Sequence, residues 1–183
     1  MKKYELLKDD TKIVNGKTLY RIRALVAISL TVAAGDLGGY VESEKNLSHD
    51  GNAWVSGDAR VSGDAEVYGN AWVSGDAEVY GDAWVSGDAR VYKSPDVQWF
   101  SNVGSENGTL TVFRAKDGDL FVTRGCFSGT LAEFEAAVNE KHGDSKIGKH
   151  YRLLIEAIKV WFGEEQRVAK NGLSGNLWKR ERV

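Results

Sequence analysis

From Gly51 to Tyr92 one six-residue phrase recurs seven times without a slip: Gly, Asp or Asn, Ala, a variable residue, Val, then Ser or Tyr. Valine stands at 55, 61, 67, 73, 79, 85 and 91, with alanine two places before each. A register this strict over 42 residues predicts a stacked architecture in which every repeat meets the same surroundings. Ala and Val are two apart, so on an extended strand both face one side, and the variable residue and the Ser or Tyr face the other. Gly with Asp or Asn supplies a corner. Glycine accepts positive φ, and a short amide or carboxylate side chain bonds its own backbone. Short strands joined by identical corners wind into a coil with Ala and Val inside. The competing layout is an antiparallel meander, because Gly-Asp and Gly-Asn also suit two-residue hairpin turns. Such a sheet would be flat, with little to bury its apolar face.

The flanks read differently. Thr11–Val14 and Thr18–Ile22 surround Asn15-Gly16, a hairpin signal, since a tight turn needs positive φ at both central residues. Gly35-Asp36-Leu37-Gly38-Gly39-Tyr40-Val41 leads into the hexads. Val41 and Leu47 are six apart and suggest an irregular first turn, with a two-residue insertion before Val55. After Ser94-Pro95-Asp96 a second hairpin is expected, Thr109–Phe113 and Leu120–Thr123 around Lys116–Asp119. A helix starts at Thr130 with Glu133 as its capping-box partner. It buries Leu131, Phe134, Ala137 and Val138 and stops at Gly143. A second helix, about Lys146 to Phe162, carries Tyr151, Leu154, Ile155, Ile158 and Trp161 at helical spacing. The expected organisation is therefore an N-terminal β cap (1–50), the hexads (51–92), a ββαα domain (93–166) and a tail (167–183) anchored by Leu177 and Trp178.

The hexads, from Val55-Ser56-Gly57-Asp58-Ala59-Arg60 to Val85-Ser86-Gly87-Asp88-Ala89-Arg90, resemble the hexapeptide-repeat, left-handed β-helix superfamily over about a quarter of the chain. The stretches Ala34–Tyr40 and Gly125–Thr130 look like those of hexapeptide proteins carried by phages and prophages. The fold class this implies is mainly β: a short left-handed parallel β-helix with an N-terminal β cap and a small C-terminal ββαα domain. In that superfamily three hexads complete one coil of 18 residues, and many members are homotrimers with ligand sites between subunits. Residues 18 apart should then lie one above another, roughly 4.8 Å apart. The outward columns become Trp54, Trp72, Arg90; Arg60, Glu78; and Glu66, Trp84. The first offers aromatic stacking under a cation–π contact and the second an opposite-charge pair. Seven valines make a thin core, so caps and neighbouring copies should cover the coil's ends and its outer Trp and Tyr.

Composition narrows the function classes. A net charge of −2 argues against a nucleic-acid polymer as partner, and the basic tail residues Lys179, Arg180 and Arg182 read as a solvated end. The start of the sequence lacks a signal-peptide core. The longest apolar stretch, Ala24 to Ala34, is too short for a bilayer. Cys126 is the single cysteine. A cytoplasmic protein without membrane partners is expected.

Acyl transfer, the superfamily's commonest activity, needs a histidine base. His49, His142 and His150 all lie outside the hexads, and only His49 is near the coil. Cys126 with His142 or His150 is a weaker nucleophile pair. The corner carboxylates supply too few ligands per coil for calcium, so neither metal nor cofactor is expected. Trp54, Trp72, Trp84, Arg60 and Arg90, with Tyr68 and Tyr80, are the candidate ligand-binding residues, because aromatics beside arginines stack bases and hold phosphates. The bland reading of the same residues is subunit glue. The leading expectation is a non-catalytic, phage-type oligomeric protein that sequesters a small nucleotide signal between subunits. The alternatives are an assembly protein that binds a host protein, and an acyltransferase using His49.

Overall fold

The computed structural model describes residues 1–163. The tail anchors Leu177 and Trp178 and the basic residues 179–182 fall outside them. Among the described residues the protein is mainly β, 40% strand against 21% helix, so sheets set its architecture and two helices form a layer after them.

β1 (Tyr4–Val14) and β2 (Lys17–Ala24) are the expected hairpin, longer than the sequence suggested. Its turn has φ of 50° at Asn15 and 78° at Gly16. β3 (Leu37–Val41) adds to β2 and leads into seven two-residue strands. These are β4 (Trp54–Val55), β5 (Arg60–Val61), β6 (Glu66–Val67), β7 (Trp72–Val73), β8 (Glu78–Val79), β9 (Trp84–Val85) and β10 (Arg90–Val91). Every pairing among them is parallel and joins residues 18 apart: Trp54 with Trp72, Trp72 with Arg90, Arg60 with Glu78, Glu66 with Trp84. The antiparallel meander is thereby excluded. Before Val55 the offset is 20, Val41 pairing with Val61 and Leu47 bridging to Val67, which accommodates the two-residue insertion. Three inner columns result: Val41, Val61, Val79; Leu47, Val67, Val85; and Val55, Val73, Val91. All nine side chains are fully buried. Every hexad glycine has φ between 61° and 72°. A Cβ at Gly51 would meet Gly69 O at 2.5 Å, so this corner needs glycine for space as well as for conformation.

A parallel stack leaves backbone groups unpaired at its first and last levels, and buried ones must find partners. Below, side chains donate to carbonyls. Lys3 Nζ reaches Ala53 O at 2.9 Å, and Tyr4 Oη reaches Leu47 O at 2.7 Å. Asn46 Nδ2 donates to Gly63 O and Ala65 O, replacing backbone donors where the first turn is irregular. Above, Trp84 N–H donates to Thr111 Oγ1 and Trp84 O accepts from Thr123 Oγ1, both at 3.0 Å. Glu78 N–H donates to Ser94 Oγ and Tyr92 N–H to Asp96 Oδ2. This accounts for Lys3, Asn46, Thr111 and Thr123 as buried polar residues.

The upper cap is an antiparallel sheet of β11 (Val97–Val103), β12 (Gly108–Arg114), β13 (Leu120–Arg124) and β14 (Phe127–Thr130), in that order. The sequence pattern anticipated only β12 and β13. The sheet has two buried faces. Val97 and Phe113 join the hexad core, while Val103, Leu110, Val112, Leu120 and Val122 pack under α1 (Leu131–His142) and α2 (Lys146–Phe162). Thr130 caps α1 with Glu133 in the expected box. On α2 the buried seam is Tyr151, Ile155, Ile158 and Phe162, at spacings of four, three and four. Trp161, which shares the helical spacing, stands about 100° round the helix from Phe162 and is exposed. Its Nε1 donates to Pro95 O at 3.2 Å.

Candidate functional site

The variable hexad residues point outward, as the alternation requires, but their exposure depends on what lies beside each column. Trp54 is the clearest departure from expectation. It is 1% exposed, sealed by Tyr4 at a ring distance of 6.5 Å in an edge contact. The cap converts the lowest outward tryptophan into core and leaves it no face for a ligand. The expected cation–π cap on this column is replaced as well. Arg90 Nη1 donates to Asn70 O at 2.9 Å and to its own Ala89 O at 2.7 Å.

Trp72 and Arg90 do share a cleft of about 430 Å³ with the corner residues Asn52, Asn70 and Asp88. The amides form a ladder up the corner. Asn52 Nδ2 donates to Asn70 Oδ1 at 3.1 Å, and Asn70 Nδ2 donates to Asp88 Oδ1 at 3.3 Å. The opposite wall is the loop between β2 and β3. Its roots Ile28 and Val32 are buried and bonded, Ile28 N–H to Val32 O at 3.0 Å. Its tip, Ser29-Leu30-Thr31, lines the cleft with Leu30 fully exposed. In the sequence Ser29 and Thr31 merely interrupt the apolar stretch from Ala24 to Ala34. Two polar residues flanking a leucine between buried Ile28 and Val32 were the signal of a rooted tip.

The remaining candidates are dispersed. Arg60 makes the expected ion pair with Glu78, and both line a second cleft of about 310 Å³ with Tyr80 and Asp64. Below them Tyr40 is held by Lys12 and Arg21, whose cationic groups lie 4.3 and 5.2 Å from its ring centroid. Tyr68 meets Trp84 edge-on at 6.3 Å, and Tyr80 meets Trp99 edge-on at 4.6 Å. Trp84 and Tyr80 stay substantially exposed. The seven candidates thus fall into a buried residue (Trp54), one cleft (Trp72, Arg90), a second cleft (Arg60, Tyr80) and an edge pair (Tyr68, Trp84).

His49 belongs to the lower cap. It stacks on Tyr4 at 4.3 Å, its Nδ1 accepts from Lys3 N–H at 3.2 Å, and its Nε2 lies 3.7 Å from Glu44 Oε2. Both ring nitrogens face the protein's own groups. Two corner carboxylates are also engaged. Asp58 bonds Lys12 and Asp64 bonds Lys45, and each is held below its ordinary pKa mainly by that lysine's hydrogen bond. Among the described residues no helix is long and apolar enough to cross a membrane. Set against family models and against curated proteins, the chain matches none.

Proposed function

We propose that the protein is a non-catalytic binding protein that sequesters a small nucleotide, a counter-defence sponge of phage or prophage type. In this reading the hexads form a left-handed β-helix, three copies pack side by side, and the protein works in the cytoplasm. The 18-residue parallel pairing supports the helix. Exposed Trp84 and Tyr80 offer apolar surface for a neighbouring copy. An exposed free thiol at Cys126 suits a reducing compartment.

The observation that carries the reading is the convergence of Trp72, Arg90 and the Asn52–Asn70–Asp88 ladder in one cleft. An indole is a platform for a base, and a guanidinium pairs with phosphate oxygens. The ladder ends on a carboxylate that accepts from a ribose hydroxyl or a base amino group. Calorimetry with cyclic di- and trinucleotides and adenosine-derived signals tests it. Binding is expected, with Trp72→Ala or Arg90→Ala weakening it about tenfold or more, the value of a base stack. Absence of heat across the panel overturns it.

A second reading, an assembly protein that docks a protein partner through its helices, is favoured by one feature. Leu153, Val160 and Trp161 stand exposed along α2. It predicts that Trp161→Ala abolishes capture of a protein while leaving nucleotide binding untouched.

A further inference from the structure

The β13–β14 turn and the helix layer enclose a cleft of about 340 Å³ on the far side of the C-terminal sheet from the hexads. Its apolar lining is a chain of rings. Phe127 lies 5.2 Å from Phe134, and Phe134 lies 5.5 Å from Tyr151 in an edge contact, with His142 5.7 Å from Tyr151. Two cations border these rings, Arg124 and Lys141, against the one carboxylate of Glu106. Cys126 sits in the same wall and is exposed.

Arg124 is built in rather than loosely attached. Its Nε donates to Tyr151 Oη at 3.1 Å and its Nη2 to Val103 O at 2.7 Å. Gly108 is not among the positive-φ glycines, so its backbone conformation does not require glycine. A Cβ there would lie 2.5 Å from Nη1 and 2.8 Å from Cζ of Arg124. Space for the guanidinium explains glycine at 108. Two bonds fix the plane of the group, while Nη1 meets no acceptor among the described residues. Lys141, on the exposed side of α1, makes no ion pair among them either. A guanidinium held in place with a free edge, beside an aromatic floor, is a ready receptor for a carboxylate on an aromatic ring.

We infer that this cleft binds a small aromatic carboxylate, its ring against Phe127, Phe134 and Tyr151 and its charge on Arg124 Nη1 and Lys141. The volume lies at the lower end of the range for small-molecule sites, about 300–1,000 Å³, which suits one or two fused rings. The site is separate from the Trp72 cleft and stands whether or not a nucleotide binds there.

Cys126, the only cysteine, is a reporter already in place. Its thiolate attacks the sulfur–sulfur bond of the neutral reagent 4,4′-dithiodipyridine. A bond forms between Cys126 Sγ and one pyridylthio group, and 4-thiopyridone leaves and is read by absorbance. With the full chain, saturating 2-naphthoate is expected to slow labelling about fivefold or more, as mass action requires when the ligand covers the thiol. Its neutral counterpart 2-naphthamide should protect about tenfold less effectively, the worth of a charge-assisted hydrogen bond. Lys141→Met, an exposed helix substitution, should weaken naphthoate protection, taken for each protein as the ratio of its labelling rates without and with ligand, and Arg124→Met should abolish it. The inference fails if naphthoate gives no protection, if the amide protects equally, or if Lys141→Met protein is protected as well as the parent.

Discussion

The hexads and the C-terminal sheet bury apolar side chains in opposite manners. The hexads repeat one environment, Ala and Val inward at every strand, and differ only in what lies beyond them. The C-terminal sheet uses each position once, with Phe113 facing the hexads and Val112 facing the helices. In the hexads, direction follows from the phrase while exposure follows from place in the stack. Trp54 and Trp72 occupy the same hexad position and pair in register, yet one is sealed core and the other lines an open cleft. In the sheet, both come from neighbours distant in sequence. Periodicity therefore guarantees a fold without deciding which outward residues are available to a ligand.

The largest test of that contrast is a pair of tryptophans. Trp54→Ala should cost about 3–5 kcal/mol, because a large buried ring leaves a cavity between cap and hexads. Trp84→Ala, at the same hexad position but 42% exposed, should cost less than about 1 kcal/mol. Urea unfolding of both proteins gives the two values. Equal costs would mean that the stack, not the cap, sets the worth of an outward tryptophan.

Two glycines separate the regions next. Gly69 and Gly163 have φ of 70° and 71°, and among the described residues only Gly69 has a neighbouring backbone against it, a Cβ there lying 3.1 Å from Gly87 N. Left-handed backbone alone costs an alanine about 1–2 kcal/mol, and Gly163→Ala should show that much and no more. Gly69→Ala must also push apart two levels of the ladder, so its loss should be about 1 kcal/mol greater. Thermal unfolding of the two variants, compared at matched pH, measures the difference. If Gly69→Ala loses no more than Gly163→Ala, the levels are not closely held.

The same contrast explains what was legible. The 18-residue register could be read because each hexad repeats its own solution, and Val55, Val73 and Val91 align wherever the chain is placed. Both helices were legible from local signals, the Thr130–Glu133 box and Gly143 for α1 and the helical spacing of Tyr151, Leu154, Ile155 and Ile158 for α2. β11 and β14 were not. β11 carries Gln98, Ser101 and Asn102 among its apolar residues, and β14 is the four residues Phe127–Thr130; their pairing comes from β12 and β13 rather than from their own pattern. The candidate site was half legible. Trp72 and Arg90 follow from the column, but Leu30 enters by a long-range loop that no period announces, and Trp54 is removed by Tyr4, 50 residues earlier in the sequence.

The lower end of the hexads depends on a buried, titrating side chain. Burial drives the Lys3 ammonium down from 10.5 to about 8, with Asp50 working the other way. Between those values the unfolded chain holds the extra proton, so stability rises with pH across the window and is lowest below it. The gain from pH 8 to about 9.5 should be of order 1 kcal/mol. Burial, assisted by Glu44, raises Tyr4, and its contribution runs the other way only above the ordinary tyrosine value, so the chosen window isolates Lys3. Lys3→Met lowers stability throughout, since Ala53 O loses its donor, but it should flatten the slope. Urea midpoints at the two pH values check this, and a slope that survives in Lys3→Met assigns it elsewhere.

The smallest effect should be the most local. Thr130 Oγ1 accepts from Glu133 N–H at 3.2 Å, and Thr130 N–H donates to Glu133 Oε2 at 2.7 Å. That backbone bond, then the Thr130 hydroxyl, holds the Glu133 carboxyl below its ordinary range. Thr130→Ala removes one of these partners at the start of α1, and cap losses of this kind run to about 1 kcal/mol. α1 packs on the face of the sheet turned away from the hexads, so the loss has no direct path into the ladder. Hydrogen exchange should quicken at the amides of α1 while those of Trp72 and Val73 keep their rates. Matching acceleration in both places would show that the two regions, for all their difference in construction, open as one unit, with Phe113 as the side chain that couples them.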